Sequence, residues 1–209
     1  MKINFYKAKK LFAANTYVVS DENVCLVIDP GDDTGDFELF LKENNLKPTN
    51  ILLTHGHFDH IRDLERLVKA FNCDIYIEEE DEKMLYSSKL NESLMFNKDV
   101  TFNNIKDKVI VFRDKEMLKF GDIEINVIHT PFHTNGSSCF YLSKNKILFS
   151  GDTLFKGDIG RTDLITSCGN KTQESLSKLM KLSDDIVVYP GHDAFTSIGY
   201  ERKHNRNIA

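Results

Sequence analysis

The chain has 209 residues, of which 41% are hydrophobic and 28% charged, with a net charge of −5. These are ordinary proportions for a water-soluble globular protein, and the length is expected to form a single domain over residues 1–209. An acidic balance without a basic block speaks against binding nucleic acid through its phosphates, and no apolar run reaches the roughly eighteen residues of a membrane span.

Residues 2–6, 11–20 and 24–29 read as strands, because β-branched and aromatic residues dominate them. The polar stretch 20–23 between the last two is a hairpin turn, and Asn15 reads as a chance loop polar residue. Asp29, Pro30 and Gly31 end the third strand in a turn. Residues 36–45 read as a short helix with Phe37, Phe40 and Leu41 on one face.

Residues 50–54 are a short apolar strand, and at its end stand His55, His57, Asp59 and His60. Ile61, Leu64, Leu67, Val68 and Phe71 follow at helical spacing. Three of the seven histidines therefore fall within six residues, at a strand-to-helix junction. Imidazole nitrogen and carboxylate oxygen are ligands for borderline and hard divalent cations. His55 and His57 are two apart and point the same way in extended chain, so they can share one metal. Asp59 and His60 lie beyond the turn and can face a second.

Residues 73–77 read as a strand. The acidic run 78–82 reads as a solvated helix start, since it holds no histidine. Residues 85–108 show no clean period and are expected to be an irregular segment beside the site. Strands are expected at 109–112, 116–120 and 123–128, with Gly121 and Asp122 as a hairpin turn. His129 and His133 follow. Two more strands, 139–142 and 146–150, lead into Gly151 and Asp152. Residues 171–182 read as a helix, and 185–189 as the last strand, closed by Pro190, Gly191 and His192.

The His-x-His-x-Asp-His pattern of residues 55–60 resembles the signature of the metallo-β-lactamase fold superfamily. Residues 129–137, the Gly151-Asp152 step and the Pro-Gly-His step at 190–192 resemble its further motifs, in the same order. The Gly-Arg-x-Asp segment at 160–163 resembles that of both the glyoxalase II-like and the persulfide dioxygenase-like branches, and the tail at 197–205 is similar to that of short glyoxalase II-like hydrolases. The resemblance implies an α/β (α+β) fold, a four-layer αβ/βα sandwich of two mixed sheets. It implies one metal on His55, His57 and His133, and a second on Asp59, His60 and His192, with Asp152 bridging. His129 is read as supporting. Two divalent ions are implied, zinc foremost, with iron or manganese as alternatives.

The activity implied is hydrolysis of a thioester of the hydroxyacyl-glutathione type. Hydroxide formed on the metals is the nucleophile, and Asp59 and Asp152 are the catalytic carboxylates. The alternatives are a mononuclear-iron persulfide dioxygenase-like enzyme and a hydrolase of another thioester or a lactone. The chain stops shortly after Asn205, too early for the helical domain with which full-length glyoxalase II enzymes hold glutathione. A different or loosely held thiol is therefore expected.

Four further residues are assigned around the site. Asp29 supports the metal ligands or bonds within its own turn. Phe132 narrows the pocket mouth. Arg161 and Asp163 pair to brace the metal loop, or Arg161 meets an anionic substrate. A small-molecule thioester is the expected partner, with neither nucleic acid nor membrane. The first residues carry no signal-peptide stretch, so the location expected is cytoplasmic, with Cys25, Cys73, Cys139 and Cys168 reduced.

Overall fold

A computed structural model describes residues 1–8 and 12–208. It contains two six-stranded sheets. The first is ordered β1 (Lys2–Lys7), β2 (Asn15–Ser20), β3 (Cys25–Ile28), β4 (Asn50–Leu52), β5 (Asp74–Glu78) and β6 (Val109–Phe112). Strands β1 to β3 run antiparallel, and β3 to β6 run parallel. The second sheet holds β7 (Met117–Phe120), β8 (Ile123–His129), β9 (Ser138–Leu142), β10 (Ile147–Gly151), β11 (Val187–Pro190) and β12 (Thr196–Ser197) in that spatial order. It is antiparallel except where β10 and β11 pair in parallel.

The alternation of side chains along each strand sorts the core into three layers. Tyr17, Val19, Leu26, Ile28 and Leu52 meet Ile125, Val127, Phe140 and Phe149 between the two sheets. Their sequence neighbours Val18, Val27 and Ile51 face the other way, onto Phe37 and Leu41 of α1 (Asp36–Glu43) and Leu64 and Leu67 of α3 (Leu64–Phe71). Leu148 and Val188 do the same on the second sheet, against Leu176 and Leu179 of α4 (Thr172–Leu179) and Ile198 of α5 (Ile198–His204). Covered on both faces, β2 and β3 are buried along their whole length, which is why 17–19 and 25–28 read as continuous apolar runs rather than alternating ones. The result is the four-layer αβ/βα sandwich expected.

Several expectations change at the local level. The strand expected from Leu11 begins only at Asn15, and Leu11 itself lies outside the described residues. The helix expected to run through Phe71 is two pieces, α2 (Phe58–Ile61) and α3. It breaks because the amide of Asp63 donates to the carbonyl of Pro30 and not back into α2. The helix expected over 171–182 is shorter, at Thr172–Leu179. The segment 85–108 is irregular as expected, carrying short 3-10 turns at Ser93–Phe96 and Asn103–Lys108. Among the described residues no helix is long and apolar enough to cross a membrane. All four cysteines are free thiols, and burial pushes Cys73 and Cys139 up to about 11.

Candidate metal centre

The strand order brings the expected ligands to one end of the sandwich. Parallel pairing of β3 with β4 sets Asp29, one residue past β3, beside the loop that carries His55 and His57. Parallel pairing of β10 with β11, with Gly151 opposite Pro190, sets Asp152 beside His192. The loop between β8 and β9 brings His133 across from the second sheet. His57 precedes α2, and Asp59 and His60 lie in its single turn. This is the crevice beyond strand ends where open α/β sheets bind ligands.

Three groups of possible ligand atoms form there, each with its atoms within 4.8 Å of one another: His55, His57 and His133; Asp59, His60 and His192; and His55, His60 and Asp152. All seven residues expected to bind metal are therefore brought together. Asp152 stands between the two sides, 3.2 Å from His60 Nε2 and 3.5 Å from His133 Nε2. Asp59 lies 3.0 Å from His192 Nε2. Gly191 permits this approach, because a Cβ there would run into the Asp152 carboxylate and the His60 ring.

The hydrogen bonds fix which ring nitrogens face the centre. The hydroxyl of Thr54 donates to Asp29 Oδ2 at 2.7 Å, so it accepts from His55 Nδ1 at 3.2 Å. His55 Nε2 then offers a lone pair, and it is buried with no hydrogen-bond partner. The carbonyl of Arg161 can only accept, so His133 carries its proton on Nδ1, at 2.9 Å, and presents an unprotonated Nε2. That Nε2 faces His57 Nδ1 at 2.9 Å, while His57 Nε2 sits 3.1 Å from the hydroxyl of Thr166. His60 Nδ1 lies 3.0 Å from Asp29 Oδ2, which turns its Nε2 toward Asp152. Ring nitrogens and carboxylate oxygens converging on one buried space fit divalent cations among them, and the N/O donor set suits borderline or hard metals.

The electrostatics agree. Burial, followed by the neighbouring imidazoles, holds His55 well below the usual histidine value. Burial and His133 take His57 down to about 3. Both are thus neutral, the form that binds metal. For His60 burial works the same way, but the carboxylates of Asp152, Asp29 and Asp59 outweigh it and raise its value. That side of the centre carries the negative charge that a second cation would neutralise.

Asp29 does not bond within its own turn. Its carboxylate accepts from the amide of Thr54 at 2.8 Å and from the Thr54 hydroxyl, and it orients His60. Arg161 and Asp163 pair at 2.7 and 2.8 Å, yet both side chains are more than half exposed. The brace on the metal loop is therefore the main-chain carbonyl of Arg161, and the ion pair stands outside it. Phe132 does not line the pocket mouth. It is fully buried, because its carbonyl accepts from the amide of Cys168 and its own amide donates to Thr134, turning the ring inward. His129 stays outside the three groups, with Nε2 2.7 Å from the carbonyl of Asn135.

The sequence reading missed several supports. Asp81 belongs to the run taken for a solvated helix start, but it is 1% exposed. It accepts from the amide of Gly56 at 3.2 Å, the amide of Gly136 at 2.8 Å and the hydroxyl of Thr134 at 2.6 Å. One carboxylate so ties the loop of His55 and His57 to that of His133. Nothing in a run of five acids distinguishes this one. Asn15 is likewise no chance loop residue: buried, it donates to the carbonyls of Pro190 at 3.0 Å and Asp193 at 3.2 Å, holding the His192 turn against the first sheet. Glu201 of α5 is buried and accepts from the amide of Gly157 at 2.9 Å, anchoring the loop that leads to Arg161.

Comparison with known proteins agrees with this geometry. The profile described as the metallo-beta-lactamase superfamily matches residues 10–192. An uncharacterized Mycobacterium leprae (strain TN) protein, ML0493, is 37% identical over 203 residues, covering 93% of each chain. The hydroxyacylglutathione hydrolase GloC of Haemophilus influenzae is 32% identical, over 88% of this chain and 87% of its own. Among solved structures, the BLEG-1 B3 metallo-beta-lactamase superposes with a TM-score of 0.90 at 32% identity, over 98% of both chains. TTHA1623 in a di-iron-bound form gives 0.80 at 31%, over 92% of this chain and 94% of that one.

Proposed function

The chain belongs to the metallo-beta-lactamase superfamily, and from that premise we propose that it is a two-metal hydrolase of thioesters of the hydroxyacyl-glutathione type. The observation that carries this reading is the convergence of all seven ligand residues, with Asp152 between the two triads. His55, His57 and His133 would hold one divalent cation, and Asp59, His60 and His192 the other. Two such cations would supply a nucleophilic hydroxide at neutral pH and would polarise the substrate carbonyl.

The chain's own groups do the rest. Asp59 lines a cavity of about 280 Å³ and is the less buried of the two carboxylates, so it is the one within reach of a proton released by the attacking water. Thr54, Thr166 and the Arg161 carbonyl keep the histidine rings from turning. Water adds to the carbonyl carbon and the carbon–sulfur bond breaks. The departing thiolate takes up the proton held on Asp59 to become the thiol, and the carboxylic acid formed releases its own proton to solvent as it ionises. A thiolate leaves without prior protonation, which suits a site whose polar groups converge on the metals. The similarity to the hydroxyacylglutathione hydrolase GloC supports the same substrate class.

A β-lactam is the second reading, on the likeness to BLEG-1. A mononuclear iron oxygenase is a third, but it leaves Asp59, His60 and His192 without a role. The test is hydrolysis of S-lactoylglutathione by protein whose metal content is measured in the same sample. Turnover at about two metals per chain is expected. Fully loaded protein that leaves the thioester intact but opens a chromogenic cephalosporin overturns the thioester reading in favour of the second. One iron per chain with oxygen uptake on glutathione persulfide overturns it in favour of the third.

A further inference from the structure

The cavity is lined in part by polar residues of the candidate metal centre and in part by apolar ones. Phe12, Met95, Phe96 and Leu164, from three separate segments, supply the apolar wall. Phe12 and Met95 are each 64% exposed. Large apolar side chains gathered in water beside a chemical site mark a place where a ligand relieves their hydration.

This wall is also held in place. The guanidinium of Arg62 lies between the rings of Phe58 and Phe96, 5.1 and 5.0 Å from their centres. Arg62 is 8% exposed, and its Nε and Nη1 have no hydrogen-bond partner, so ring faces fix it. Asn91 pins the same segment. Its carbonyl accepts from the amide of Phe58 at 2.8 Å, and its side chain donates to the carbonyl of Val100 and accepts from the amide of Ser93. A preformed apolar wall binds at a lower ordering cost than a mobile one. The guanidinium in the described lining, Arg161, is already shared with Asp163, and the other charged group facing it is the acidic Glu92. Little in this wall recognises an anion.

We infer that Phe12, Met95, Phe96 and Leu164 form an apolar subsite that takes an uncharged hydrocarbon arm of the substrate, alkyl or aryl. The inference rests on the thioester reading for the identity of the whole substrate, but the subsite is a matter of binding alone.

The experiment measures by calorimetry the affinity of metal-loaded protein for ethanethiol, butanethiol and hexanethiol, which present one sulfur on arms of increasing length. Full burial of each added methylene corresponds to about a fourfold gain. A gain of at least about tenfold from ethanethiol to hexanethiol is expected in the parent protein. The slope should flatten in the double variant Phe12→Ser, Met95→Ser, with metal content unchanged as the check on folding. Equal affinity for all three thiols in the parent protein overturns the proposal. So does a slope that survives in the double variant. Loss of self-association on sedimentation, with no slope in the parent, would show the patch to be an interface between copies and also overturns it. A steep slope in protein that hydrolyses no thioester keeps the subsite and rejects the function proposed above.

Discussion

Oδ2 of Asp29 stands 3.0 Å from Nδ1 of His60, and the same carboxylate receives the amide and the hydroxyl of Thr54, whose oxygen in turn faces His55. One buried side chain so reaches a candidate ligand of each triad, His60 directly and His55 through Thr54. Asp29 can do this because its backbone adopts φ +52° just past the end of β3, which turns the side chain back toward β4. Asp29→Asn keeps the size but presents an amide to His60. Its expected effect is a 10- to 100-fold loss of metal affinity, the usual range for a group that orients a ligand. Competitive titration with a chromogenic chelator reads it directly. An unchanged affinity would mean that His60 is oriented by other contacts.

Asp81 clamps two ligand loops, so its removal should act on both stability and metal. Asp81→Ala leaves the amides of Gly56 and Gly136 and the hydroxyl of Thr134 without their acceptor. Each buried donor left unpaired costs about 1–3 kcal/mol. We expect a drop of several kcal/mol in unfolding free energy of the metal-free protein, seen in urea titration. Asp81→Asn keeps an acceptor oxygen and should recover part of the loss. A metal-free Asp81→Ala protein as stable as its parent would show that the loops hold without the clamp.

Arg161→Ala separates a brace from a substrate contact. The carbonyl that holds His133 belongs to the main chain and survives the substitution, and the pair with Asp163 is exposed. Exposed ion pairs contribute little to stability. Metal stoichiometry and melting temperature are therefore expected to stay where they are. A fall in metal content on inductively coupled plasma analysis would return the side chain to the bracing role.

Asp63, three residues past His60, gives a pH dependence of its own. Burial raises its carboxyl to about 7 from the ordinary 3.8, against the opposing pull of Arg66 at 3.1 Å. Between those values the unfolded chain has released the proton and the folded chain has kept it. The folded state binds more protons, so this group's contribution is complete below about pH 4 and is lost as pH rises toward 7. The loss amounts to about 1.4 kcal/mol for each pH unit in that window. Asp63→Asn removes the titrating group. Its stability relative to the parent should climb from pH 4 to pH 7 in parallel urea titrations, and a flat difference would contradict the assignment.

The sequence by itself singled out the seven residues proposed as metal ligands. His55, His57, Asp59 and His60 declare themselves by density at a strand end, and the later motifs supply His133, Asp152 and His192 in order. The layering followed from the resemblance to the superfamily, since the strand and helix pattern alone is compatible with a four-layer sandwich but does not establish one. Only the tertiary structure decided what holds the ligands still. Asn15 reaches 175 residues along the chain to Pro190, and Thr166 reaches 109 to His57. Asp81 looks like its four acidic neighbours until two loops close over it, and Phe132 looks like a pocket residue until its backbone turns it inward. Candidate metal ligands are limited by chemistry to a few residue types, and the order of the motifs narrows them further. Their supports are chosen by position, and a single polar group becomes a support only when folding brings its partners to it and removes the water.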